Sequence, residues 1–280
     1  MFYLNKLNQI YTSLRVHGLK FTLESAMRKR GLNVYSIIRS PITGIRLKVR
    51  DPYADWWKNI WEEGVWEQNC IKFVSEIITE GQTILDVGAW IGPYTWLFSK
   101  LMKGTGQVYA FEPDPVAYQI LYDIVNKNSL GNVRIEKVAL SDSIGKAQLR
   151  SAYRFGESVS SIVRFKQDTG MYEVSVETTT IDKYCEDRAI IPNGIKIDVE
   201  GAEGLVMEGG QNIIKEYSPW ILLEFHSAFM SEKERQKNWD NIVKSAKKVI
   251  FIDGDIDQYH YGSEVWTLPD CSRFHIFIKY

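Results

Sequence analysis

From Thr83 onward, short apolar runs alternate with amphipathic stretches. The runs are TILDV (83–87), QVYAF (107–111), VRIEKVAL (133–140), GIKIDV (194–199), WILLEF (220–225), KVIFI (248–252) and FHIFIKY (274–280). Between them, apolar positions recur at helical spacing over about 93–102, 114–129, 203–216 and 231–247. Alternation of this kind predicts a doubly wound α/β fold, with a mostly parallel sheet and helices on both faces. Residues 143–182 break the rhythm: KAQLRSA and YEVSVETTTI read as extra strands around a polar loop, an insertion over one edge of the site. Upstream, Leu4, Leu7, Tyr11 and Leu14 form a helical stripe, FTLESAMRKRG reads as a second helix stopped by Gly31, and GIRLKVRD as a short strand. Helical pieces follow to Gly81. The organisation expected is a mainly helical segment, 1–50, ahead of a catalytic domain, 51–280.

Composition changes this picture little. With 45% hydrophobic and 25% charged residues, the chain is an ordinary globular protein. Cys70, Cys185 and Cys271 form no CxxC pair, so neither a disulfide framework nor a zinc motif is suggested by their spacing. No apolar stretch reaches the roughly 18 residues of a membrane span, and the N-terminus is too polar for a signal peptide. The expected location is cytoplasmic. Trp56, Trp57, Trp61 and Trp66 crowd together, which favours packing over a sugar-stacking platform.

Charge adds one feature. Residues 1–50 hold ten Lys or Arg against one acid, Glu24, so this segment carries +9 in a chain of net −1. Such a leader is either a solvated helical face or a peripheral contact for an anionic membrane or a lipid-linked substrate.

The candidate chemistry lies where the apolar runs end. In an open parallel sheet, ligands occupy the crevice beyond the carboxyl ends of the strands. The first five runs end at Asp86, at Glu112, at Ser141 and Asp142, at Asp198 and Glu200, and at Glu224 and His226. The turn after the first run, Gly88-Ala89-Trp90-Ile91-Gly92, lacks the third glycine of a dinucleotide fingerprint, and no phosphate-binding lysine follows it. A ligand with a ribose and an adenine but no phosphate suits this turn. Glu112, 26 positions after Asp86, is placed to accept both ribose hydroxyls. That ligand is S-adenosylmethionine.

The series ILDVGAWIGPYT, VYAFEPDP, VALSD, IKIDVEGAE and ILLEFH resembles the successive motifs of the FkbM-type methyltransferases, a branch of the class I S-adenosylmethionine-dependent enzymes, over roughly residues 64–225. The resemblance implies a Rossmann-like, seven-stranded sheet whose last strand is antiparallel. It places Asp86, Gly88, Ala89 and Gly92 at the methionine end of the cofactor, Glu112 at the ribose, and Ser141 with Asp142 beside the adenine. Glu67, in GVWE, resembles an acid that closes over the cofactor. Trp90 departs from the family pattern, standing where a small polar residue is usual.

Methyl transfer from a sulfonium is an in-line displacement, so alignment and exclusion of water are the main requirements. A hydroxyl acceptor also needs a proton acceptor or a metal. The candidates are Asp198, Glu200, Glu224 and His226. Two routes stay open: a divalent ion such as magnesium on Asp198 and Glu224, or His226 as general base. The resemblance implies O-methylation of a sugar, a glycan or a secondary metabolite, and the acidic catalytic face suggests no nucleic-acid partner. The rival classes are an NAD-linked oxidoreductase and a catalytically inactive binding module of the same fold.

Overall fold

The structure is a computed structural model that describes residues 35–39, 46–50, 56–57, 66–151, 156, 158, 160–163, 172–227, 230–244, 246–252 and 273–280. The helices expected over 1–31 lie outside these residues. The chain divides into two compact units, 1–66 and 67–280.

In the first unit, β1 (Tyr35–Arg39) and β2 (Arg46–Arg50) form an antiparallel hairpin, with Ile38, Leu47 and Val49 buried. Ile37, Arg39, Arg46 and Lys48 occupy its exposed positions. The alternation of side chains along each strand explains this division. Trp56 meets Trp57 and Trp66 edge-on, at centroid separations of 5.3 and 5.4 Å, and Trp57 is fully buried. These rings pack as a cluster, as expected; Trp61 lies outside the described residues.

The second unit is built on a seven-stranded sheet. Its members are β3 (Thr83–Val87), β4 (Gln107–Phe111), β5 (Val133–Glu136), β10 (Gly194–Ile197), β11 (Trp220–His226), β12 (Lys248–Phe251) and β13 (Arg273–Lys279). They lie in the order β12-β13-β11-β10-β3-β4-β5. Only β13 runs against its neighbours. The order reverses between β3 and β10, which opens a crevice there.

The helices are α1 (Gln68–Ile77), α2 (Pro93–Leu101), α3 (Pro115–Lys127), α4 (Ile181–Arg188), α5 (Glu203–Glu208), α6 (Gln211–Tyr217) and α7 (Glu232–Val243). Their starts follow from local sequence. Pro93 and Pro115 stand in the first turns of α2 and α3, where the missing N–H costs nothing. Asp114 caps α3 by accepting from the Val116 and Ala117 N–H groups. Ser231 and Glu234 form a reciprocal capping box on α7. The core lies between sheet and helices, where Ile195, Ile197, Leu223 and Phe225 join Trp239 and Ile242 of α7 in one apolar cluster.

The insertion is a second sheet of order β6-β9-β7-β8, formed by β6 (Ala139–Leu140), β7 (Gly145–Ser151), β8 (Ser160–Ser161) and β9 (Tyr172–Thr179). Three details differ from the sequence reading. VRIEKVAL is two strands, because β4 offers its last partner, Phe111, opposite Glu136, after which Ala139 and Leu140 pair with Thr178 and Thr179 of β9. Ser141 and Asp142 therefore follow a strand of the second sheet rather than the main one. The helix read over 203–216 is broken at Gly209-Gly210 into α5 and α6. The stretch read as strand through Ile181 stops at Thr179, because the Thr180 hydroxyl accepts from Lys183 N–H and starts α4.

Candidate functional site

Strand register assembles the site. Side chains two apart on a strand share a face, and directly opposed residues are neighbours. Lys196 of β10 pairs with Asp86 of β3, so Asp86, Lys196 and Asp198 lie on one face across the crevice. Glu224 of β11 pairs with His275 of β13, and His226 lies two residues on. Antiparallel β13 thus delivers a histidine to the same end of the sheet as the acids.

On the β3 side, Gly88 and Ala89 N–H both donate to the Phe111 carbonyl, at 3.0 Å each, and close the glycine turn over β4. Gly88 has φ +75°, and a Cβ there would stand 1.8 Å from the Asp198 carbonyl oxygen. Only glycine permits this approach of the two loops. Gly92 (φ +91°) caps α2 in the left-handed region. Asp86 is fully buried, accepts from the Thr95 hydroxyl at 2.5 Å, and lies 4.0 Å from the Lys196 ammonium. Burial pushes its carboxyl above the usual range, against the pull of Lys196.

Lys196 donates to Asp198 Oδ2 at 3.0 Å and to the Gly88 carbonyl at 3.3 Å, with its ammonium 5.1 Å from the Tyr94 ring centre. Burial alone would lower its pKa, but Asp198, Asp86 and Glu67 hold it above the ordinary lysine value. Lys196 thereby ties the glycine turn to the end of β10. Asp198 is held below the usual carboxylate range, since Lys196 and His226 outweigh the effect of its burial.

Glu112 follows β4 with its carboxylate inward. Oε2 accepts from Trp90 N–H at 2.7 Å and Oε1 from Asp114 N–H at 2.8 Å, and burial pushes its pKa up to about 8. Trp90 takes φ +48°, and its indole N–H donates to the Gly156 carbonyl of the insertion at 2.9 Å. Asp114 fastens the same segment, because Oδ2 accepts from Gly156 N–H and the Ser160 hydroxyl at 2.8 and 3.0 Å. Ser141 is buried and donates to Asp142, which is exposed and also accepts from Ser143. Glu67 accepts from the Tyr94 hydroxyl at 2.7 Å and lies 3.2 Å from His275 Nε2. These contacts join Glu67 to α2 and β13.

The acids of β10 and β11 gather around His226. Nε2 lies 3.5 Å from Glu200, 3.6 Å from Glu224 and 4.0 Å from Asp198, without a hydrogen bond of good geometry. Nδ1 is 2.8 Å from Glu203 Oε1, which also accepts from Gly201 N–H at 2.9 Å. Burial would lower the pKa of His226, but Glu203, Glu200 and Asp198 raise it to about 10. Burial also raises Glu224, and brings Glu200, whose backbone is left-handed at φ +53°, to about 8. Asp198, Glu224 and His226 each offer a donor atom, all within 4.8 Å of one another.

All four catalytic candidates thus share one cluster. Lys196, Glu203, Tyr94, Thr95, Asp114 and His275 were not singled out in the sequence. Lys196 was legible as a lone cation inside an apolar run, and Glu203 as the last acid of KIDVEGAE. The partners of Thr95, Tyr94 and His275 depend on tertiary contacts that spacing does not reveal. No helix among the described residues is long and apolar enough to cross a membrane.

Residues 86–258, more than half of the chain, match the family described as Methyltransferase FkbM domain. The chain is 26% identical over 162 residues to the hexuronic acid methyltransferase AglP of Haloferax volcanii, a match covering 58% of this chain and 63% of that protein. Among solved structures, the FkbM methyltransferase of Methylobacillus flagellatus KT aligns with TM-score 0.46 and 16% identity, over 71% of this chain and 44% of that one. A SAM-dependent methyltransferase of Aquifex aeolicus aligns with TM-score 0.43 and 13% identity, over 77% and 92%. The matched family is one of methyltransferase domains, not of oxidoreductases. The seven-stranded sheet, its order reversal beside the glycine turn and the match over 86–258 together place the chain in the FkbM family of methyltransferases, with the class I fold.

Proposed function

We propose that the protein transfers the methyl group of S-adenosylmethionine to a hydroxyl oxygen of a sugar or glycan. The observation that carries this reading is the cluster of half-buried Asp198 with buried Glu200 and Glu224 around His226, set beside the glycine turn at the switch point of the sheet. The cofactor would lie along that turn, with Asp86, Gly88, Ala89 and Gly92 at its methionine end, Glu112 at the ribose, Ser141 and Asp142 flanking the adenine, and Glu67 near the methionine end. Each Glu112 oxygen accepts one backbone N–H and retains capacity for a ribose hydroxyl.

In the transfer, the acceptor oxygen forms a bond to the methyl carbon as the carbon–sulfur bond breaks, and the sulfonium becomes a neutral thioether. The hydroxyl proton passes to the acid cluster. Glu200, whose pKa of about 8 lies close to neutrality, is suited to accept it. His226, raised to about 10, remains a cation around which the acids are held. A second reading is favoured by the same geometry: Asp198 and Glu224 could hold a divalent ion such as magnesium, which would lower the pKa of the acceptor hydroxyl. A sugar acceptor is suggested by the hexuronic acid methyltransferase relative.

The test is transfer of isotope-labelled methyl to a panel of uronic acids, neutral sugars and glycan ends, with the position of the new methyl read by mass spectrometry. Labelled O-methyl product supports the proposal. Absence of transfer to any oxygen, with S-adenosylhomocysteine bound, would leave the inactive-module reading.

The basic segment 1–50 is proposed as a contact for an anionic membrane or lipid-linked acceptor. Arg39 lies directly opposite Arg46 in the β1–β2 hairpin, beside exposed Ile37. Opposed like charges are destabilising unless an anion is shared. Salt-sensitive co-sedimentation of the protein with anionic vesicles tests this contact, and no association at low salt counts against it.

A further inference from the structure

Glu67, Cys70 and His275 come together from opposite ends of the second unit's sequence, beside the His226 cluster, which His275 reaches through Glu224. Glu67 immediately precedes α1, and Cys70 lies three residues on, fully buried. His275 lies on β13, some two hundred residues away in sequence, and is also buried. One donor atom from each falls within 4.8 Å of the other two.

Three further details bear on what such a trio holds. His275 Nε2 stands 3.2 Å from Glu67 Oε2 and 3.4 Å from Glu224 Oε2. One imidazole N–H can be donated well to only one of two carboxylates. Donors around a tetrahedral ion with bonds of about 2.0–2.1 Å are separated by roughly 3.3 Å, so the 3.2 Å between Glu67 and His275 matches an edge of a metal site. Glu67 also adopts φ 44°, ψ 40°, an uncommon conformation for a non-glycine residue, and its side chain does not cap the helix it precedes. Strain of this kind is kept where a side chain must be aimed. Finally, the Tyr94 hydroxyl donates to Glu67 at 2.7 Å, which fixes the carboxylate as outer partners fix metal ligands.

We propose that Glu67, Cys70 and His275 bind one zinc ion, which fastens the start of α1 to β13. Thiolate, imidazole and carboxylate are the three donor types that zinc takes, and a thiolate disfavours magnesium and calcium. The site shares no ligand with the magnesium reading above, although it abuts it, His275 lying 3.4 Å from Glu224. It does not depend on the proposed reaction, but it gives Glu67 to the metal rather than to the cofactor.

The test uses the full chain and the metal alone. Purified without a metal-binding tag, the protein is expected to contain about one zinc per chain. Cobalt exchanged into the site should give a thiolate-to-cobalt charge-transfer band in the near ultraviolet. Cys70→Ser should abolish the band and weaken zinc at least tenfold against a competing chelator, while Cys185→Ser leaves both unchanged. Should Cys70→Ser fail to fold, His275→Gln is the second variant, with the same tenfold loss expected. Cobalt bound without the band, a band surviving Cys70→Ser, or zinc affinity unchanged in His275→Gln would each overturn the proposal. A protein that takes up no cobalt or zinc overturns it as well.

Discussion

Glu203 Oε1 stands 2.8 Å from His226 Nδ1, both groups are buried, and the same oxygen accepts the Gly201 N–H. One carboxylate therefore sets the orientation of the ring and the turn after Glu200 together. Glu203→Ala should cost about 1–3 kcal/mol, the range for stranding a buried donor, and Glu203→Gln, which still accepts, should recover much of it. Denaturant unfolding of the three proteins provides the measurement. Equal stability of the alanine and parent proteins would show that the contact is not maintained in solution.

The same ring has a stability signature in pH. Its folded pKa of about 10 lies above the ordinary 6.5, so the folded state binds the proton more tightly than the unfolded one. The stabilisation from His226 should be complete below about pH 6.5 and disappear as pH rises through about 10. Thermal melts from pH 6 to 10, compared with His226→Gln, should show the slope in the parent and a flatter curve in the variant.

Glu112 predicts a pH effect on cofactor affinity. Burial raises its pKa to about 8, whereas ribose hydroxyls donate best to the ionised form. Affinity for S-adenosylhomocysteine should rise as pH increases from 6 to beyond 8, with proton release on binding below about pH 8. Calorimetry in buffers of different ionisation enthalpy reads both. Glu112→Gln should flatten the profile and weaken binding by at least tenfold, and an unchanged profile would remove the ribose assignment.

Asp198→Asn should reduce turnover by about 10²-fold or more, in the range of acid–base contributions, with little change in cofactor affinity. The variant also removes the negative charge 3.0 Å from buried Lys196, so its folding must be measured beside its rate. A chelator separates the two catalytic routes: activity lost and restored by magnesium identifies the metal route, and indifference identifies the acid cluster. Parental turnover in the variant would exclude both roles for Asp198.

Asp114→Ala tests the fastening of the insertion. It removes the α3 cap and the acceptor for Gly156 N–H and Ser160 at once. Loss of the cap costs about 1 kcal/mol, whereas release of the insertion should make residues 156–161 exchange amide hydrogens faster. Stability lost without faster exchange there would mean that Asp114 serves α3 alone.

Much of this architecture was legible in the sequence because periodicity reports burial. The runs from TILDV to FHIFIKY became the sheet, and the acids ending four of them met in one crevice. The exception shows the limit. VRIEKVAL carries an uninterrupted strand pattern, yet its two halves belong to different sheets, because strand propensity does not say which neighbour supplies the hydrogen bonds. Lys196 was visible as a lone cation in an apolar run, but its role was not: a lysine in a strand reads as an edge position until Asp86 and Asp198 are seen to surround it. The break at Gly209-Gly210 and the start of α4 turn on single residues, where a periodic pattern is least informative.

The glycine turn and the loop after β10 meet at Gly88 and the Asp198 carbonyl, backbone against backbone, with no room for a methyl group between them. Side chains ordinarily act as springs between loops, absorbing a displacement by changing rotamer. Here no spring is present. A shift of one loop by a few tenths of an ångström is passed undiminished to the other, so the relative position of Asp86 and Asp198 is held to the tolerance of peptide geometry itself. A reaction that depends on a straight line between two atoms is well served by such a rigid joint. The same joint makes position 88 a place where the fold and the chemistry accept the same single residue.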